Sequence, residues 1–270
     1  MEWFHHPDFC PKIVARRAAE ELFDLSVGMI EVILSGGRAG LVAPRLFRPG
    51  EERYRMAQHR LRKAGFLAYR RPRGQPPVFR LTPEGERKVP DLLRPERRWN
   101  RRWSGRWQML VYDIPETERV YRNHLRAFLR RMRMGRLQNS VWITPDDIRA
   151  EYADLMDAAA VEDYAMLVEA RTVLGNRGSR VARIAWNLDR IEAGHAWYLH
   201  AVDAALDRVA SSPPTRDQAW TIVREDLNAY RAVMADDPLL PRALWPEGYR
   251  GPAVAAAHRR LVGAVWSAIP

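Results

Sequence analysis

The chain has 270 residues, 47% of them hydrophobic and 29% charged, a composition of globular domains with room for two or three small ones. No apolar run approaches the ~18–20 residues of a membrane span, and residues 1–7 (MEWFHHP) lack a signal-peptide pattern. The single cysteine, Cys10, excludes an internal disulfide and fits a reducing compartment, so a cytoplasmic protein is expected. The net charge of +11 is unevenly placed: residues 1–106 hold 23 Lys and Arg against 12 Asp and Glu, whereas residues 107–270 hold 21 of each. One end of the chain is therefore expected to meet a polyanion.

In chain order, residues 12–23 (KIVARRAAEELF) read as a helix with Ile13, Ala15, Ala18, Ala19 and Leu22 inward. Residues 25–34 form a second, stopped by Ser35-Gly36-Gly37. After a loop rich in Pro, Gly and Arg, residues 51–64 form a third helix closed by Gly65. Two extended segments, 66–69 and 78–81, flank a basic tip, RRPRGQPP. Thr82, Pro83 and Glu84 then open a fourth helix as N-cap, first helical residue and first-turn acid. Three helices, a basic hairpin and a closing helix are the order of a winged helix-turn-helix, placed at residues 1–93.

Residues 94–106 (RPERRWNRRWSGR) read as a basic linker able to lie along a phosphate backbone. Residues 107–113 (WQMLVYD) are a β-type run, and 118–133 a helix with Tyr121, Leu125, Phe128, Leu129 and Met132 on one face. Residues 137–143 (LQNSVWI) supply further strand, 145–157 a helix and 165–170 a last strand. This order predicts a ferredoxin-like sandwich, a dimerisation domain, over residues 107–175. Residues 176–270 read as a helical C-terminal domain, with helices near 180–209, 216–234 and 251–267. The fold class expected is a multidomain α+β protein.

The third helix carries the most information. Tyr54, Ala57, Leu61 and Ala64 share an inward face, while Arg55, His59 and Arg62 fall opposite, with Lys63 beside them and Arg53 in the same helix. Arg and His side chains donate to base edges and phosphates, and a helix fits the major groove. Alone, such a face is more often merely solvated. The hairpin that follows, with Arg70, Arg71 and Arg73 at its tip, moves the reading to duplex DNA.

Other candidates are weaker. Asp113 ends a strand where a metal-binding carboxylate can sit, but a single acid is thin support and a solvated strand-end Asp is the plainer reading. His195 and His200 are spaced poorly for a shared metal, and no HExxH or CxxC set exists. No metal site, cofactor or catalytic residue is predicted. Residues 175–180 (GNRGSR) precede a helix and offer backbone amides with Arg177 and Arg180 to a phosphate, against the plainer reading of an interdomain loop. Arg183, Trp186 and Trp197, further along, are candidate pocket residues, although aromatic side chains at helical spacing mostly pack helices together.

Three stretches resemble one family. They are HRLRKAGFL (59–67) with FRLT (79–82), WQMLVYDIP (107–115) with LQNSVWI (137–143), and DPLLPRALWP (237–246) with Gly251 and Ala253. The resemblance is to the PaaX family, repressors of phenylacetic acid catabolism. It implies a homodimer on palindromic operator DNA, released by an aryl-coenzyme A thioester such as phenylacetyl-coenzyme A. It also implies a middle domain similar to small CRISPR-associated endonucleases, with Asp113 at their metal-binding position, yet not expected to cut nucleic acid. The expectation is a ligand-responsive repressor. The alternatives are a metal-dependent nuclease using Asp113 and a DNA-binding protein without an effector.

Overall fold

The structure, a computed structural model, describes residues 59, 61–70, 78–88, 91, 94–153, 164–171 and 177–269. The chain divides into two compact units, one of Met1–Arg94, Gly194–Ala235 and Pro252–Pro270, the other of Pro95–Ala193 and Asp236–Gly251. The expected helices at 12–23 and 25–34 lie outside the described residues, as does most of the third.

In the first unit, residues 61–63 end a helix, and strands β1 (Leu67–Arg70) and β2 (Val78–Leu81) follow as an antiparallel pair with Leu67 opposite Leu81. Helix α1 (Pro83–Lys88) comes next, starting where Thr82 and Pro83 predict. Further along the chain in this unit lie α6 (Arg216–Ala235) and α7 (Gly251–Ser267), with most of α5 (Leu188–Ser211). Their buried apolar residues recur at helical spacing, for example Ala219, Ile222, Val223, Leu227, Tyr230 and Met234 on α6. One polar cluster is sealed among these helices. Asp226 is fully buried and accepts the Tyr198 hydroxyl and a bond from His258 Nδ1, both at 2.6 Å, while Tyr230 stacks on the His258 ring at 4.2 Å.

The second unit is built on a four-stranded antiparallel sheet. It comprises β3 (Trp107–Tyr112), β4 (Gly135–Gln138), β5 (Val141–Thr144) and β6 (Ala165–Ala170), in the order β4-β5-β3-β6. Helix α3 (Arg119–Arg131) links β3 to β4, and a further helical stretch begins at residue 149. Alternation along β3 sends Leu110 and Tyr112 to one face and Trp107 and Met109 to the other. Leu110 and Tyr112 pack with Leu125, Leu129, Trp142 and Ile148. Trp107 packs with Ile143 on Val181, Ala182 and Ala185 of α4 (Gly178–Trp186). Both sheet faces are thus covered by helix, as a mixed sandwich requires.

Two expected segments are each split. The strand region at 137–143, which the expected β-α-β-(β)-α-β order leaves as one strand or two, is a hairpin, because Asn139 and Ser140 turn the chain between β4 and β5 and a register shift falls between Arg136 and Gln138. The long helix near 180–209 is two, because Asn187 sits in the left-handed region at φ 49° and ends α4, a conformation that Asn tolerates better than most residues.

Residues 95–106 lie within the second unit. Helix α2 (Pro95–Trp99) buries Trp99 to 2% exposure. Arg98 and Arg101 both hold the Asp146 carboxylate, and Arg101 also donates to the Leu239 carbonyl at 2.5 Å. Residues 237–241 form a buried loop, which is unusual because buried backbone needs partners. The fully buried Asp237 carboxylate supplies one, accepting the Leu239 N–H at 2.7 Å and the Tyr249 hydroxyl at 2.7 Å. Trp99 Nε1–H in turn donates to the Tyr249 oxygen at 3.1 Å.

Candidate nucleic-acid interface

The helix ending at residue 63 is closed by Gly65 at φ +73°. The Phe66 N–H donates to the Leu61 carbonyl and the Gly65 N–H to the Arg62 carbonyl, both at 2.9 Å. This paired closure satisfies two of the carbonyls a helix end leaves open, and glycine carries the left-handed residue without a Cβ penalty. The chain then turns directly into β1.

Thr82 ties the far end of the hairpin back to this closure. Its hydroxyl donates to the Gly65 carbonyl at 2.6 Å, its N–H donates to the Phe66 carbonyl at 3.0 Å, and its oxygen accepts the Gly85 N–H at 3.0 Å. One residue therefore caps α1, closes the two strands and holds the preceding helix end. Sequence reasoning found the cap; the bond to Gly65, 17 residues away, has no local signal. Gly85 was also not singled out, although a glycine inside a six-residue helix is a signal of close backbone approach.

Of the candidate DNA-contacting residues, His59, Arg62 and Lys63 are exposed. Their i, i+3, i+4 spacing puts them on one helix face, at the end that the hairpin is bonded to. Arg70 closes β1. Arg53, Arg55, Arg71 and Arg73 lie outside the described residues.

The other candidates occupy different surroundings. Arg177 precedes α4 in extended conformation and is exposed, as is Arg180. Arg183 is engaged by Asp189 and by Glu192 at 3.0 Å. Its guanidinium is shifted to bind its proton more tightly: the two acids, with Glu192 foremost, outweigh the opposing effect of desolvation, which is the largest single contribution. Trp186 donates its indole N–H to the Arg133 carbonyl at 2.8 Å and packs beside Trp107. Trp197 is partly buried on α5.

Asp113 is exposed just beyond β3, its N–H donating to the Tyr164 carbonyl at 2.8 Å. Among the described residues no three His, Cys, Asp or Glu side chains gather as a metal site, and no described helix is long and apolar enough to cross a membrane. A cleft of about 330 Å³ in the second unit has paired charges in its wall, where Asp146 is held by Arg98 and Arg101 from outside the lining. Arg106 holds Glu169 at 2.6 Å, and Arg149 holds Asp147.

A four-stranded antiparallel sheet between helices, followed by a helical C-terminal part, defines a multidomain α+β protein. Family models match both parts: the PaaX protein central Cas2-like domain over residues 100–182, and the PaaX-like protein C-terminal domain over residues 186–268. The chain belongs to the PaaX family. Among solved structures, it is similar to the uncharacterized protein Rv0674 from Mycobacterium tuberculosis, at 22% identity over 88% of this chain and 94% of that one, with a TM-score of 0.48. No curated protein matches it.

Proposed function

We propose that this protein is a transcriptional repressor that binds operator DNA through the helix end at residues 59–63 and the β1–β2 hairpin. The observation that carries the reading is the bonded unit just described, in which exposed His59, Arg62 and Lys63 adjoin a hairpin locked in place by Thr82 and Gly85. A recognition surface needs such rigidity, because base contacts discriminate only when their donors are held in register. Residues 1–93 form the winged helix-turn-helix, with Arg53, Arg55, Arg70, Arg71 and Arg73 completing the contact surface. Residues 94–106 connect it to a Cas2-like middle domain at 107–175 and a helical domain at 176–270.

The protein acts as a homodimer on a palindromic site. Exposed Met166 and Val168, at 60% and 41%, lie on β6, an edge strand among the described residues, and favour a second copy at the middle domain. Two recognition helices about one DNA turn apart, ~34 Å, read the two half-sites. An aryl-coenzyme A thioester releases the DNA by binding a different dimer geometry better; a tenfold release takes about 1.4 kcal/mol of differential affinity. Arg177 and Arg180, exposed where α4 begins, serve its phosphates, with Arg183 and Trp186 further along the same helix; Trp197 on α5 is a separate candidate for contact with its aromatic part.

A gel shift on the intergenic DNA upstream of the protein's own gene, titrated with phenylacetyl-coenzyme A and related thioesters, tests this. The expected result is a specific shift that one thioester reverses. A specific shift that no thioester reverses favours a DNA-binding protein without this effector, and cleavage in magnesium or manganese that Asp113→Ala abolishes favours a nuclease.

A further inference from the structure

The chain's basic excess sits in residues 1–106, yet the second unit holds a concentrated basic surface of its own. On α3, Arg119, Arg122, Arg126 and Arg130 recur at i, i+3, i+7 and i+11. At 100° per residue they fall within an arc of about 80°, on the flank of the helix beside its buried Leu125 and Leu129. Arg119 and Arg130 are exposed; Arg122 and Arg126 are half-buried.

The two inner arginines are held from beneath. Arg122 pairs with Glu116 at 2.6 Å, and Arg126 Nε–H donates to the Tyr112 hydroxyl at 3.0 Å. Tyr112 donates onward to the Asn139 carbonyl at 2.8 Å, so this flank looks toward the β4–β5 hairpin. There Arg136 is exposed on edge strand β4, opposite Trp142 in register and hence on the same sheet face as α3. The exposed Glu116 carboxyl is held below its ordinary value, first by its bond to Arg122 and then by the charges of Arg122, Arg119 and Arg126. The first turn of α3 holds no acid, and it places Arg119 and Arg122 at the helix's positive end, the unfavourable end for cations. Glu118 at the N-cap and Glu116 just before it offset part of that charge, Glu116 through its pair with Arg122.

We propose that this flank, led by Arg119 and Arg130, with Arg136 on the sheet face that α3 covers, is a second surface for the phosphate backbone of duplex DNA. It rests on the reading of the protein as a DNA binder, and adds a contact made by the middle domain. The row spans ~16 Å at 1.5 Å per residue, about five base pairs of a strand at 3.4 Å. Guanidiniums aimed at phosphates supply affinity and register, not sequence preference.

The test is fluorescence anisotropy of the full-length protein on a labelled duplex of arbitrary sequence, across a salt series. It compares wild type, Arg119→Ala/Arg130→Ala, Arg62→Ala/Lys63→Ala and a charge-matched control on α6, Arg216→Ala/Arg224→Ala. Losing two phosphate contacts is expected to flatten the log–log salt slope by about 2 and weaken binding on the order of tenfold or more at 0.1 M salt. Arg130→Lys within the α3 pair restores part of the slope. An α3 variant that matches wild type while the Arg62/Lys63 variant weakens overturns this proposal and leaves the helix-end reading intact. The reverse pattern upholds the α3 surface and removes the helix end. An equal loss in the control reduces the effect to net charge and overturns the proposal, and no binding by wild type overturns both readings.

Discussion

Gly85 lies so close to Phe66 that a Cβ at residue 85 would stand 2.0 Å from the Phe66 carbonyl oxygen. Backbone meets backbone here, so no side chain can swing aside. The same carbonyl accepts the Thr82 N–H, and any shift of α1 is therefore transmitted to the hairpin closure. Gly85→Ala is expected to destabilise this region by about 1–3 kcal/mol, the range for forced overpacking. Hydrogen exchange at the β1–β2 amides checks it: faster exchange there than in wild type is expected, with unchanged protection on β3 and β5.

Thr82 offers a chemically finer test. Thr82→Val keeps the shape but removes both the bond to Gly65 and the cap on Gly85, and should cost about 1–2 kcal/mol. Thr82→Ser restores the hydroxyl and should recover most of that loss. Urea unfolding of the pair distinguishes the hydroxyl from the methyl: equal midpoints for Val and Ser would contradict the role given to the oxygen.

The Asp226–His258 pair is sealed among helices of the first unit. Removing the carboxylate takes a buried acceptor from both His258 Nδ1 and the Tyr198 hydroxyl, so Asp226→Ala is expected to cost about 1–3 kcal/mol for each bond lost. Tyr198→Phe removes a single bond to the carboxylate and should cost less, about 1.5–3 kcal/mol. Fluorescence-detected urea unfolding measures both. A Tyr198 variant less stable than the Asp226 variant would contradict the assignment of Asp226 as the hub.

Asp147 provides a pH prediction. Its carboxyl is pushed down from 3.8 to about 2, first by the side-chain bond from Arg149 and then by the Arg149 backbone N–H at 3.1 Å. A carboxyl depressed on folding contributes stability above the unfolded value near 3.8, and that contribution is lost as pH falls through about 2. Because the pair is exposed, the effect on global stability is small. Carboxyl NMR titration should show Asp147 ionised at pH 3, and Arg149→Ala should move it only part of the way back, because the residue-149 backbone N–H remains. Titration near 3.8 in the wild type would exclude the pairing.

Elements governed by local chemistry were readable directly. Thr82 with Pro83 marks the start of α1, short β-type apolar runs mark β3 and β6, and spaced apolar residues mark α3, α6 and α7. What escaped depends on partners distant in sequence or on single-residue backbone choices. Whether LQNSVWI is one strand or two is decided by the turn at Asn139 and Ser140, and the break at Asn187 is a left-handed residue inside an otherwise helical pattern. Arg98 and Arg101 look like free cations in a linker because their partner, Asp146, is more than 40 residues away. The arginine row on α3 was hidden for a different reason: a charge sum over residues 107–270 balances at 21 against 21 and averages away a helix flank of one sign. At the candidate interface, the shared helix face of His59, Arg62 and Lys63 is legible from helix spacing, whereas the Thr82 bonds that close the hairpin are not.

The most direct test is DNase I footprinting of the upstream intergenic DNA by wild type and by His59→Ala/Arg62→Ala. A DNA-reading helix end predicts a protected palindrome whose half-sites are centred about one helical turn, 10–10.5 base pairs, apart or a multiple of it, and loss of that footprint in the variant. No discrete protection by wild type at moderate salt, or the same footprint from both proteins, would contradict it.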